Sequence, residues 1–185
     1  MTRVEKERLG MQFGRASQAA KTSRKDAKLT QQRMAMEDDL FMSRESISHQ
    51  ENGRHRVQPE VTEYFTEKHN DPWSAIEAAS EYSGWGPIRL DGPAAEVNRM
   101  TAAVQSTIQM TEAIDSLKEH MEIFTIKPDS VKDKSSIEKT IQECLDVITA
   151  LTQFVAVICK EYSINWLKMW SKHKLKLLTR GLIAK

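Results

Sequence analysis

The feature that most constrains this chain is an apolar periodicity that begins near Pro93 and, with one interruption, runs to Tyr162. Val97, Met100, Val104, Ile108, Ile114, Leu117, Met121 and Phe124 recur at steps of three, four or six, with Thr111 bridging the one long step. At about 3.6 residues per turn, such spacing puts side chains on one side of a helix. Pro93 suits a first helical turn, where a missing N–H costs nothing, and Lys127-Pro128 ends the run because the residue before a proline is driven out of the α region. After the polar stretch Asp129 to Lys134, the sequence Ser135-Ser136-Ile137-Glu138 reads as a capping box, with serine at the N-cap and glutamate three residues on. The second stripe is Ile137, Ile141, Cys144, Ile148, Leu151, Val155, Ile158 and Tyr162.

Two long helices, at residues 93–126 and 135–162, joined by a short loop, pack antiparallel as a hairpin. A hairpin of this length buries little surface by itself and leaves apolar rims for a second copy or a larger partner. The residues expected to self-associate are Val97, Met100, Val104, Ile108, Ile141, Ile148, Leu151 and Val155. A homodimeric four-helix bundle is the simplest closure. The second helix reads as a core helix rather than a membrane span. Its uncharged run, Val147 to Cys159, holds 13 residues diluted by Thr149, Thr152 and Gln153. As a helix that run covers about 20 Å, against about 30 Å of hydrocarbon.

Beyond the hairpin, the segment Ser163 to Lys185 (SINWLKMWSKHKLKLLTRGLIAK) carries the most chemical character. Read as a helix, it brings Ile164, Leu167, Leu175, Leu178 and Leu182 near one face. Trp166 and Trp170 lie near its start. Lys168, Lys172, Lys174, Lys176 and Arg180 are interleaved. Cations with Trp and Leu at helical spacing fit a helix lying on an anionic membrane surface. They fit equally a calmodulin-target-like helix, with Trp170, Leu177 and Ile183 as anchors, or phosphate contact with tryptophans stacked on the bases of RNA or DNA. The plain alternative is a third bundle helix with solvated lysines.

Residues 59–92 are acidic and aromatic. Asp71-Pro72 starts a short helix, aspartate accepting backbone N–H bonds and proline pre-set at the first position, and Gly84 with Gly86-Pro87 stops it. Trp73, Ile76, Tyr82 and Trp85 form a candidate docking patch for a protein partner, with capping of the hairpin as the structural alternative. Glu77 and Glu81 repel each other at i,i+4, which favours a basic neighbour. Residues 1–58 offer only scattered apolar side chains, Val4, Leu9, Met11, Phe13, Leu29, Met34 and Met36 among them. They are read as a disordered or transiently helical region. The resulting division is 1–58, 59–92 and a helical bundle domain at 93–185, in a mostly α chain.

Charge follows the same division. The net charge of +1 conceals 9 basic against 3 acidic residues in 1–36, 4 against 11 in 37–82, and 6 against 1 in 161–185. Basic ends thus flank an acidic middle, which either meets anionic partners or neutralises itself within or between chains. With only 7 glycines and 5 prolines, the chain lacks the frequent turn signals of a β-sandwich or barrel.

A search for chemistry excludes more than it finds. The phosphate-binding patterns GxGxxG and GxxxxGK[ST] are absent. No HExxH or GxSxG occurs, and Cys144 and Cys159 have no CxxC partner for zinc. Fifteen residues apart on one helix, these cysteines would be separated by roughly 22 Å, beyond disulfide reach. No catalytic residue, cofactor or metal site is expected. Met1 to Gly14 holds no apolar run of a secretory signal, so the cytoplasm is the expected compartment, with the nucleus or a membrane surface as alternatives.

The expectation is a non-enzymatic regulatory or accessory protein that self-associates and meets both a protein partner and an anionic surface. A peripheral membrane protein anchored by the C-terminal helix is one alternative. The other is an RNA-binding accessory protein, because the layout of charged N-terminus, helical core and basic tail is similar to that of viral polymerase cofactors.

Overall fold

A computed structural model describes residues 14–38, 40–93, 95 and 97–184. Among them every regular element is helical. The elements are α1 (Arg15–Asp26), α2 (Gln31–Met34), α3 (Arg44–Glu51), α4 (Pro59–Lys68), α5 (Pro72–Ser83), α6 (Arg99–Glu119), α7 (Ser135–Glu161) and α8 (Trp166–Thr179). Two short 3-10 turns, Met121–Thr125 and Pro128–Ser130, lie between α6 and α7. The chain forms two compact units. One joins the residues up to Gly86 with those from Tyr162 onward, and the other is Pro87–Glu161.

In the first unit, helices α1 to α5 enclose a core of Ala16, Ala20, Met34, Leu40, Ile47, Val57, Val61, Tyr64, Phe65 and Ala78. Over residues 15–58 the structure has packed helices where the sequence suggested a disordered or transiently helical region. Residues 1–13 lie outside the described residues, but from Arg15 the chain is helical and packed. The reason is side-chain size. Helix α1 buries Ala16, Ser17, Ala19, Ala20 and Ser23, none of which registers as an apolar stripe, yet small residues let it lie close against α5. Charge then fixes the register. Arg15 donates from Nε and Nη2 to the Glu77 carboxylate at 2.8 and 2.7 Å, and Glu81 accepts from the backbone N–H of Ala16 at 3.3 Å, at the positive end of α1. The basic neighbour that Glu77 and Glu81 called for is the chain's own N-terminal helix.

A second buried pair ties α1 to α3. Arg24 forks onto Glu51, with Nη2 at 2.9 Å from Oε2, and donates from Nη1 to the Leu29 carbonyl at 2.7 Å. Gln31 adds a bond to Glu51 at 2.8 Å. The bonds to Glu51 raise the Arg24 pKa, against the opposing effect of burial. Pro72 stands at the first position of α5 and Gly84 ends it at φ 74, as expected. Asp71 has a different task. It makes no side-chain cap on α5, and its buried carboxylate instead accepts the hydroxyl of Ser23 on α1.

The second unit is the hairpin of α6 and α7. Helix α7 matches the expected span, whereas α6 is shorter than 93–126. Asn98, not Pro93, starts it, because the Asn98 side chain accepts the Thr101 N–H at 2.9 Å and satisfies an otherwise orphaned donor. At the head of α7 the acceptor is Asp133 rather than a Ser135 capping box. Its carboxylate takes the Ser135 N–H at 2.9 Å, and that bond holds the Asp133 pKa below the usual carboxylate range. By length and composition α7 could cross a membrane, with mean hydropathy 1.5 over an 18-residue stretch, yet only 22% of that stretch is buried. The core-helix reading therefore describes one face of α7.

Candidate functional site

The face that closes the hairpin is not the one formed by the large apolar residues. Helix α6 buries Ala102, Ser106, Ala113 and Ser116, small side chains at steps of four, seven and three that stack along one side of the helix. Helix α7 buries Thr140, Ala150, Gln153, Ala156, Val157 and Cys159, with Ala150 and Thr140 bonded to α6. Polar bonds sit inside this seam. The Ser106 hydroxyl donates to the Ala150 carbonyl at 3.1 Å, and Ser116, Thr140 and His120 form a cluster with Thr140 Oγ1 at 3.0 Å from both partners. The Gln153 amide clips the Leu90 backbone, accepting its N–H and donating to its carbonyl, each at 3.2 Å. Arg99, at the start of α6, pairs with Glu161 at the end of α7 at 2.8 Å.

The large residues are consequently left outside. Val97, Met100, Val104 and Ile108 are exposed, Met100 to 67%. On α7, Ile141, Ile148 and Val155 are exposed, Ile148 to 50%, while Leu151 is half-buried. Leu145 joins them, so Ile141, Leu145, Ile148, Thr152 and Val155 follow steps of four, three, four and three. That spacing is a heptad seam with no partner within the hairpin. Sequence reasoning chose these self-association residues on hydrophobicity alone. It missed that the hairpin closes on Ala102, Ser106, Ala113 and Ala150, whose only signal was small size at helical spacing.

The docking patch proposed for residues 59–92 is divided by the fold. Trp73 and Ile76 are buried in the first unit, and the Tyr82 hydroxyl donates to the Val57 carbonyl. Burial raises the Tyr82 pKa, with a smaller opposing effect of Thr62. Of the four, only Trp85 stands well clear of the surface, 76% exposed.

Helix α8 keeps its chemical character in the open. Asn165 caps it, accepting the Lys168 N–H at 2.7 Å. Asn70, in a left-handed conformation at φ 48, holds its first turn. The Asn70 side-chain amide donates to the Ile164 carbonyl and accepts the Trp166 N–H, both at 2.8 Å. Trp166 is buried to 5% exposure and stacks edge-to-face with Trp170 at 5.6 Å. Past Trp166 the helix is exposed except for Leu177 and Leu178, which are half-buried. Lys168, Lys172, Lys176 and Arg180 recur every four residues as a single row, Lys174 lies apart from it, and no carboxylate stands on α8. Nothing in the sequence marked Asn70 for its role.

Comparison with protein-family models, curated proteins and solved structures returns no match. The functional reading therefore stands on these surfaces. Among the described residues no group of three or more His, Cys, Asp or Glu could hold a metal ion.

Proposed function

We propose that this chain is a non-enzymatic accessory protein that self-associates through the outer faces of α6 and α7 and presents α8 to an anionic partner. One observation carries the reading. The hairpin closes on small residues and leaves Met100, Val104, Ile108, Ile141, Ile148 and Val155 in water along two helical faces. An exposed stripe of large apolar side chains on the outer face of each helix is typical of an interaction site. A second copy supplies the same stripes, and a two-fold axis makes either one self-complementary. Trp85 is the remaining candidate contact for a separate protein partner.

Magnitudes set the expected strength. Burying the exposed halves of about a dozen large aliphatic side chains yields on the order of 10 kcal/mol. Association itself costs about 4–15 kcal/mol. The two are of similar size, so the complex should be reversible and dependent on concentration. Light scattering after size-exclusion chromatography of the full chain tests this across a dilution series. The expected result is a dimer or tetramer that dissociates on dilution, and a monomer throughout for the Ile108→Lys, Ile148→Lys double variant. A full chain that stays monomeric at every concentration would sink self-association.

A further inference from the structure

We infer that α8 is a lipid-contact helix that lies in the interface of an anionic bilayer. This rests on reading α8 as the element that meets an anionic partner, and it is independent of self-association by the hairpin. At about 100° per residue, Lys168, Lys172, Lys176 and Arg180 occupy one arc of the helix. Leu175 lies at the edge of that arc, beside Lys168, whereas Leu167 and Trp170 fall on the other side, both exposed. Lys174 also falls there, and its long stem can carry the ammonium back to headgroup level.

Charge complementarity selects the partner's sign. From Tyr162 to Lys185 the chain carries six Lys and Arg and no Asp or Glu. The apolar side selects its class. A phosphate backbone would use the cations and could stack on Trp170, but it would leave Leu167 in water. A bilayer uses both sides at once, cations among headgroups and Leu and Trp at the acyl boundary. Trp170, 47% exposed beside the buried Trp166, is an amphipathic ring suited to that depth. The Asn70 clip and Trp166 fasten the start of α8 to the first unit, so a helix adsorbed on lipid stays attached to a folded domain.

The test is co-sedimentation of the full chain with phosphatidylcholine vesicles and with vesicles that also contain phosphatidylserine. Two variants accompany it: Lys168→Glu, Lys172→Glu, Lys176→Glu, Arg180→Glu in one, and Leu167→Ser, Trp170→Ser in the other. All six positions are exposed, and thermal unfolding checks that each variant keeps the fold. The chain should sediment with the phosphatidylserine vesicles alone. Each cation near the surface is worth about fivefold in partitioning, so the charge variant should lose on the order of a thousandfold or more. The serine variant should lose roughly tenfold. No sedimentation with phosphatidylserine vesicles overturns the inference, as does equal sedimentation with neutral ones. Undiminished binding by the serine variant also overturns it, by leaving a contact of charge alone. Fluorescence anisotropy with a single-stranded homopolymer RNA separates the failures. If RNA binds where vesicles do not, α8 is a nucleic-acid contact. If neither binds, the anionic-partner reading of α8 falls as well.

Discussion

Both units of this molecule bring helices together over alanine and serine, and they differ in where the large side chains go. In the first unit, Ala16, Ala19, Ala20 and Ser23 seat α1, while Met34, Ile47, Val57 and Phe65 on neighbouring elements fill the interior. Several helices meet there, so a residue turned away from one neighbour still faces another. The hairpin has only two helices. Once Ala102, Ser106, Ala113 and Ala150 have closed them, Met100, Val104, Ile108, Ile141, Leu145 and Ile148 on the remaining faces point outward. Hydrophobic periodicity reveals that a segment is helical. The number of neighbours and the size of the residues decide which face is inside.

Substitutions can break or sharpen this contrast. The largest effect is expected from Phe65→Ala in the first unit, where the ring is 0% exposed. It should cost about 3–5 kcal/mol in urea unfolding. Ile148→Ala in the hairpin should cost well under half as much in dilute monomer, and a loss as large as that of Phe65→Ala would contradict the exposed placement. Next comes Glu51→Gln, which leaves the Arg24 guanidinium without its buried counter-charge. It should destabilise the first unit by about 3 kcal/mol, measured in the same way. A wild-type-like midpoint would mean that the pair contributes nothing to holding α1 in place.

A smaller cost, about 1–3 kcal/mol, is expected for Ala150→Leu, because a larger side chain forces the closely packed seam apart. Val104→Leu on the open face should change monomer stability by only a few tenths of a kcal/mol. Should the two prove equally tolerated, the seam is not where the hairpin closes. The smallest effect concerns alkaline pH. Burial raises the Tyr82 pKa in the folded state, so its contribution is fully present below the ordinary tyrosine value of about 10 and is lost as pH rises through the folded value. Tyr82→Phe should remove that part of the alkaline loss in stability. Phenolate absorbance of the folded chain should show a late ionisation that Tyr82→Phe removes.

The helical class, both hairpin helices, the short helix at Pro72 and the cationic C-terminal helix were all legible in the sequence, because periodicity, proline and glycine report on the local backbone. The face of the hairpin and the order of the segment from Arg15 were not. In both places the contacts are made by Ala, Ser and Thr, which look neutral when apolar residues are sought. In the N-terminal segment they are reinforced by Arg15–Glu77 and Arg24–Glu51, pairs joined across 62 and 27 residues. Trp73 and Ile76 were read as docking residues because an acidic context suggests exposure. Only the packing of α5 against α1 and α4 shows that they are interior.

The small-residue seam also sets how this sequence is free to drift. Ala102, Ser106, Ala113 and Ala150 can exchange with residues of their own size and with little else, whatever the polarity of the replacement. Met100, Val104, Ile108 and Ile148, on the proposed self-association faces, can exchange shape freely while they remain apolar. A distant descendant would therefore preserve volume at one set of positions and oiliness at the other. Its kinship would show in the alternation of two rules along the same helix, even after the letters themselves had ceased to agree.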